Sequence, residues 1–187
     1  MKKTVLFVHS AGPQGQDQGS GNLSSYLNKE LGDNYNVVSP EMPEPENPVY
    51  AFWKNQLEKE LHKLTGDVIL IGHSLGGSVL LKYLTEHSCH LHFSGLFIIA
   101  SPYWGLEENW RSKEFTLQPN FEQKLPAIPN LFLYHSVDED IVPFAHHLAY
   151  AEKLPQATTR ELEGKQHLFL HGLPTLVQDI EGLEAAR

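Results

Sequence analysis

Cysteine is almost absent from this chain of 187 residues, since Cys89 is the only one. A single cysteine cannot form a disulfide within the chain, which excludes a disulfide-stabilised fold and favours a reducing compartment. Basic residues are also scarce: 14 lysines and arginines stand against 23 aspartates and glutamates, and the formal net charge is -9. A negative field repels a phosphate backbone, so we expect no nucleic-acid partner.

Long apolar runs are missing as well, and no stretch is apolar over the length that a membrane span requires. The chain begins Met1-Lys2-Lys3 and continues into a short apolar run, which superficially resembles a signal peptide. The run ends at His9 and leads into a glycine-rich loop without a small-residue cleavage site, so we interpret it as a first strand. We therefore predict a cytoplasmic protein that acts on a small molecule and does not bind a membrane.

Six strand-like runs alternate with helical segments along the chain. The length fits one domain, residues 1–187, and no linker or internal repeat interrupts it. The alternation predicts an α/β fold: a single doubly wound domain with a mainly parallel sheet of about six strands and helices on both faces. Ligands bind beyond the carboxyl ends of such strands, so functional residues are expected in the loops that follow them. The predicted strands are residues 5–8, 36–39, 68–71, 95–100, 131–134 and 159–162.

The third predicted strand leads directly into a serine that is flanked by glycines. Residues 72–76 read Gly-His-Ser-Leu-Gly and match G-x-S-x-G, the nucleophile elbow in which a tight turn joins a strand to a helix. The apolar strand before the motif and the helical spacing after it supply the required context. We predict that Ser74 is a nucleophile, at a helix N-terminus whose free N–H groups stabilise an oxyanion.

The loop after the first strand is expected to complete the oxyanion hole. One donor is the N–H of the residue after the nucleophile, Leu75, and the other comes from this loop. Ala11 is the leading candidate for the second donor and Ser10 is the alternative. The loop is rich in glycine but lacks the ending of a P-loop and the spacing of a dinucleotide fingerprint, so no nucleotide cofactor is expected.

A serine nucleophile needs a base, and a histidine is expected after the last strand. His167 lies in that loop and is the predicted base. His171 is a competitor that falls at the start of the last predicted helix. His73 is adjacent to the nucleophile in sequence, where the elbow turns its side chain away, and is predicted to have a packing role.

The acid that orients the base is expected between the serine and the histidine. Three consecutive carboxylates, Asp138, Glu139 and Asp140, follow the strand at 131–134. In an extended stretch Asp138 and Asp140 would share one face and Glu139 would occupy the other, so only one of the two faces can serve the base. Asp138 is preferred over Asp140 as the alternative to Glu139.

Two further segments allow a functional interpretation. His87, His90 and His92 surround Cys89, but their spacing does not suit a closed zinc site, and no metal is predicted. Residues 103–121 are rich in aromatics without a clean period. This segment is either a short cap over the active site, which supplies an acyl pocket, or ordinary packing against the sheet.

The chain resembles the small serine hydrolases of the alpha/beta-hydrolase superfamily, the retinoblastoma-binding-protein-nine type. The resemblance runs nearly end to end and includes a first strand without the additional antiparallel strands of larger hydrolases. It implies a compact cytoplasmic hydrolase with a serine, acid and histidine triad and no cofactor. The residues that carry it are Met42-Pro43-Glu44-Pro45 followed by Trp53, Gly72-His73-Ser74, the Ser-Val-Asp-Glu-Asp-Ile-Val-Pro run at 136–143, and His167.

The chain departs from this family at two places. Family members often have tryptophans early in the first helix, where this chain has Leu23 and Tyr26. They usually have paired aspartates, with the catalytic one four residues before the proline, and counting back from Pro143 leads to Glu139. From the residues and the resemblance together, we predict cleavage of a small ester, thioester or amide through an acyl-enzyme on Ser74. The alternative is a non-enzymatic member of the same fold that binds a protein, a partner that the sequence does not identify.

Overall fold

The computed structural model describes residues 2–185, which form a six-stranded sheet in the order β2-β1-β3-β4-β5-β6. Every neighbouring pair of strands is parallel. The predicted α/β fold class is therefore confirmed. The strands are β1 Lys3–Val8, β2 Tyr35–Val38, β3 Asp67–His73, β4 His92–Ile99, β5 Leu131–Ser136 and β6 Thr158–Leu162.

Helices cover both faces of the sheet, because the central strands are apolar on both sides. Val68 and Leu70 of β3 belong to one buried cluster, and Ile69 and Ile71 belong to the other. The first cluster includes side chains from the second, third and fourth helices, and the second cluster includes side chains from the first and fifth. None of the helices within residues 2–185 has the length and apolar character needed to cross a bilayer. The helices are α1 Gly21–Leu31, α2 Tyr50–His62, α3 Leu75–Glu86, α4 Ala145–Lys153 and α5 Pro174–Ala185.

Five of the six strands are longer than their apolar cores predicted, and β2 keeps its predicted length but begins one residue earlier. β4 begins at His92 rather than at residue 95, and β3 begins at Asp67. Asp67 pairs with His92 in the ladder, and His92 Nδ1 lies 2.9 Å from Asp67 Oδ1. A polar cross-strand pair extends these strands beyond the residues that an apolar pattern can mark.

All six carboxyl ends meet at one edge of the sheet because every strand is parallel. The loops after β1, β3, β4, β5 and β6 are therefore neighbours, although they lie as far apart as residues 9 and 173 in the sequence. The predicted site residues all lie at this edge.

Candidate active site

Ser74 occupies a tight turn between β3 and α3. Its backbone has φ 52° and ψ -121°, a sparsely populated region that costs a non-glycine residue roughly 1–3 kcal/mol. A Cβ at Gly76 would lie 2.1 Å from Val8 O, and one at Gly72 would lie 2.5 Å from Gly77 Cα. The glycines of the motif are required because the backbones of strand and helix cross too closely for any side chain.

The end of β4 holds this turn in place. Ser74 N–H donates to Ile99 O at 2.8 Å, and Ser101 Oγ donates to Ser74 O at 2.8 Å. The N–H and the C=O of Ser74 are thus bonded to residues at the end of β4 and just beyond it. The turn presents the side chain of Ser74, itself mostly buried, to the floor of a cavity.

His167, the predicted base, lies in the loop between β6 and α5. Its Nδ1 donates to Glu139 Oε2 at 2.8 Å, and both side chains are almost fully buried. With the proton on Nδ1, Nε2 is the free basic atom. Ser74 and His167 line the same cavity, and no hydrogen bond joins Ser74 Oγ to Nε2 in the described part of the chain. This contact commonly tightens only in the enzyme–substrate complex.

Glu139 is held in a fixed orientation behind His167. Its Oε1 accepts from Ile141 N–H at 2.8 Å and from Val142 N–H at 3.0 Å. Burial raises the pKa of this carboxyl, but the hydrogen bonds and charge of His167 and the two amides outweigh burial and hold the pKa below its ordinary value. His135 Nε2 donates to Val142 O at 2.8 Å, and this bond links the end of β5 to the far side of the loop that carries Glu139. Glu139 is therefore an ionised acceptor directed at the imidazole.

The structure separates Asp138, the other predicted acid, from the imidazole. Glu139 N–H donates to Ser136 O at 3.2 Å, so the run turns here and the argument from an extended stretch does not apply. Asp138 is exposed, and its Oδ1 accepts from Ser136 Oγ and from Gly164 N–H, the latter at 3.0 Å. Ser136 Oγ also accepts from Lys165 N–H at 3.1 Å. Asp138 thus joins the loop of Glu139 to the loop of His167. Asp140, the third carboxylate of the run, is exposed.

His73 makes two hydrogen bonds that the sequence analysis missed, because its position beside the nucleophile indicated only packing. Its Nε2 lies 2.8 Å from His167 O, and its Nδ1 lies 2.7 Å from Ser20 Oγ. A carbonyl only accepts, so Nε2 donates and the Ser20 hydroxyl donates to Nδ1. Ser20 Oγ in turn accepts from Ser10 N–H at 2.7 Å. Burial, with the charge of His167 next, holds the pKa of His73 well below its ordinary value, so the ring is neutral.

Replacing His73 with leucine is expected to lower the free energy of unfolding at pH 8 by roughly 1–3 kcal/mol, the cost of one buried unsatisfied polar group. The His167 carbonyl would lose the hydrogen bond from Nε2–H, whereas Ser20 Oγ would keep its bonds with Ser10 N–H and Ser10 Oγ. Urea unfolding measures the change. His147→Leu is the matched control, since His147 is equally buried and its Nε2 has no hydrogen-bond partner within residues 2–185. Equal effects of the two substitutions would contradict the role of the His73 hydrogen bonds.

In the loop after β1, the amides on either side of Ala11 are already hydrogen-bonded. Ser10 N–H is occupied by Ser20, and Gly12 N–H donates to Pro45 O at 2.7 Å. Ala11 lies between them and lines the cavity with Ser74 and Leu75. The N–H of Ser10, the alternative second donor, is engaged by Ser20 Oγ, so Ala11 stays the predicted donor.

The Met42-Pro43-Glu44-Pro45 segment supports this loop from behind. Met42 N–H donates to His9 Nε2 at 2.9 Å, and Trp53 Nε1 donates to Pro43 O at 2.8 Å. The rings of His9 and Trp53 meet edge to face with centroids 5.3 Å apart. The motif that carried the sequence resemblance therefore fixes the position of the loop after β1.

The histidines around Cys89 contact separate partners. Within residues 2–185, no group of three His, Cys, Asp or Glu side chains is arranged to hold a metal ion. The partners are the Tyr83 ring for His87, the His62 ring for His90 and the Asp67 carboxylate for His92.

Buried histidines make the stability of the fold sensitive to acid. Burial, with a smaller effect of His135, lowers the pKa of His147 to about 4. The unfolded chain binds this proton below about pH 6.5, so the stability present above pH 6.5 is lost as the pH falls towards 4. The loss from His147 alone is on the order of 3 kcal/mol. Burial lowers the pKa of His9, His135 and His146 as well, and these residues add in the same direction.

We expect the urea midpoint of the wild type to decrease as the pH is lowered from 7.5 to 4.5. The midpoint of His147→Leu should decrease less over the same range. The substitution removes a group that only the unfolded chain protonates in this range. His171→Leu, at an exposed position, is the control. An identical pH dependence of the wild type and His147→Leu would refute the argument.

Solved structures share this fold over nearly their whole length. The crystal structure of the ydeN gene product of Bacillus subtilis superimposes with a TM-score of 0.84 at 22% identity, covering 98% of this chain and 100% of that one. A carboxylesterase structure from Nitrososphaera gargenis gives 0.73 at 15% identity, covering 99% and 90%. The fold is that of the α/β hydrolases.

The sequence comparisons define the family. YdeN of Bacillus subtilis strain 168 is 24% identical over 179 residues, which cover 94% of this chain and 92% of YdeN. The profile of the serine hydrolase family matches residues 14–172. The chain belongs to this family and is an enzyme, as the resemblance implied, rather than a non-enzymatic binding member.

Proposed function

We propose that the chain hydrolyses a small ester, thioester or amide through an acyl-enzyme on Ser74. One observation carries the proposal: His167, bonded through Nδ1 to the buried Glu139 carboxylate, lines the same cavity as a serine in a strained elbow. A binding surface would not require a strained nucleophile.

In the acylation half, His167 Nε2 takes the proton of Ser74 Oγ as the oxygen attacks the substrate carbonyl. The N–H groups of Leu75 and Ala11 bind the oxyanion, and Glu139 holds the imidazolium through Nδ1–H. The carbonyl then reforms as the bond to the leaving group breaks, and His167 donates its proton to that group.

In the deacylation half, His167 takes a proton from water, which attacks the acyl carbonyl. The tetrahedral intermediate collapses, the acid is released and the proton returns to Ser74. Both halves use only groups that line the cavity or support its walls, so no cofactor is required. We propose that the enzyme acts in the cytoplasm and that its substrate is a small molecule.

A fluorophosphonate probe tests the nucleophile directly, because it forms a stable adduct only with an activated serine. We expect stoichiometric labelling of the wild type, none of Ser74→Ala, strongly reduced labelling of His167→Ala and full labelling of His171→Ala. Full labelling of His167→Ala together with loss of labelling in His171→Ala would show that His171, and not His167, is the base. Labelling of Ser74→Ala would reject the proposed function.

A further inference from the structure

One wall of the cavity above Ser74 is built by residues 103–121, which we name the cap segment. Trp104, Trp110 and Phe115 of this segment line the cavity, which has a volume of about 450 Å³. The Trp104 ring meets Trp110 with centroids 5.4 Å apart and Phe115 at the same separation. The three rings form one continuous aromatic surface.

The polar atom of the central ring is already bonded away from the cavity. Trp104 Nε1 donates to Ser78 Oγ at 3.0 Å, and Ser78 Oγ donates to Pro102 O at 3.1 Å. Trp104 therefore offers its hydrocarbon surface to an occupant. Burying apolar substrate atoms against such a surface is favourable in proportion to their area.

The cap segment is anchored, so the aromatic wall is formed in advance. Lys82 of α3 donates to Thr116 O at 2.9 Å and pairs with Glu86 at 2.8 Å. Tyr50 N–H of α2 donates to Glu114 Oε2 at 3.1 Å. These contacts tie both flanks of Phe115 to the helices beneath it.

The charges around the cavity disfavour an anionic occupant. No lysine or arginine is among the cavity-lining residues of the described chain, whereas Asp17 is one of them. A carboxylate or phosphate on the substrate would lose its hydration without gaining a cation. The cavity therefore favours an uncharged part of the substrate.

The positions of the walls decide which half of the substrate meets the rings. Phe115 is buried with α2 and α3 on one face of the sheet, and Phe169, two residues after His167, is buried with α1 and α5 on the other. The leaving group must lie beside His167, which protonates it. The acyl group then extends from the reacting carbonyl towards the cap segment.

We propose that the cap segment binds the acyl group of the substrate, and that this group is an uncharged apolar chain of medium length or a single aromatic ring. The proposal rests on the proposed function, since it assumes an acyl-enzyme on Ser74. It assigns Trp110, at the end of the aromatic surface away from Phe115, as a residue that determines acyl specificity.

Wild-type kcat/KM on p-nitrophenyl esters tests the acyl class with a constant leaving group. From acetate through butyrate to hexanoate we expect a rise of about fourfold for each added methylene, the value for full burial of that group. Benzoate should be hydrolysed faster than acetate. The hemi-adipate ester matches hexanoate in chain length but ends in a carboxylate, and we expect it to be at least about tenfold slower than hexanoate after subtraction of the enzyme-free rate.

Trp110→Ala tests the place where the acyl group binds. We expect it to lower kcat/KM on hexanoate by about tenfold and to leave acetate within about twofold, since acetate is too short to reach the ring. Acetate hydrolysis also reports that the variant is folded. Leu148→Ala, at an exposed apolar residue of α4 that does not line the cavity, is the control and should change neither rate.

The possible outcomes separate this inference from the function on which it rests. Equal rates on acetate and hexanoate, or on hexanoate and hemi-adipate, would overturn the inference while Ser74-dependent hydrolysis stands. An equal loss on acetate and hexanoate in a Trp110→Ala protein that still labels fully with the fluorophosphonate would place the leaving group against the cap segment and also overturn it. Absence of both Ser74-dependent hydrolysis and fluorophosphonate labelling would reject the proposed function, and the inference with it.

Discussion

Ser74→Ala is expected to lower kcat on p-nitrophenyl hexanoate by on the order of a millionfold, because removing the nucleophile of a triad abolishes the covalent route. Ser74 Oγ makes no hydrogen bond that supports the fold in the described residues, so the melting temperature should change little. The backbone of the turn is held by Ile99 and Ser101, not by the side chain of Ser74.

The matched control is Ser88→Ala, at an exposed position beyond the end of α3. It should retain full activity. Mass spectrometry of wild type mixed rapidly with hexanoate ester should show an added hexanoyl group, which the Ser74→Ala sample lacks. Near wild-type turnover by Ser74→Ala would end the acyl-enzyme proposal.

Glu139→Gln is expected to lower kcat about ten-thousandfold. The amide nitrogen can donate to Nδ1 and so favours the imidazole tautomer with its proton on Nε2, the atom that must accept the serine proton. The loss of negative charge also removes the stabilisation of the imidazolium. Turnover on p-nitrophenyl hexanoate above the enzyme-free rate measures the effect.

Asp138→Asn is the matched control, because the same chemical change is made one residue away. The asparagine Oδ1 still accepts from Gly164 N–H, so the link between the two loops is retained and the activity should stay within about tenfold of wild type. Asp140→Asn, at an exposed position, should be close to wild type. A severe loss of kcat in Asp138→Asn with a mild loss in Glu139→Gln would show that Asp138, and not Glu139, orients the imidazole.

Local patterns in the sequence indicated the fold and most of the candidate site residues. The apolar run before Gly72, the glycines around Ser74 and the helical spacing after it act within about fifteen residues, and they suffice for the strand, the elbow and α3. The chain order of serine, acid and histidine located the loops of Glu139 and His167. Alternation of strands and helices predicted the parallel sheet, and the sheet in turn predicted that these loops share an edge.

Other features depended on contacts that no local pattern specifies. Which carboxylate contacts the imidazole depends on a turn at Ser136, which directs Glu139 to the imidazole and Asp138 to Gly164. The role of His73 required Ser20 and His167, which lie 53 and 94 positions away. The outer residues of β3 and β4 became strand only because Asp67 and His92 pair.

The sequence by itself determined which elements form, because hydrophobic periodicity and the conformational limits of glycine act between near neighbours. It also determined which chemical groups the carboxyl edge of the sheet would carry. Only the tertiary structure decided which of those groups meet, since Glu139 and His167 are 28 positions apart and their hydrogen bond depends on strand register and loop geometry. The aromatic wall of the cavity has the same origin: Trp104, Trp110 and Phe115 show no period along the chain, and they become one surface because α2 and α3 hold the cap segment in place.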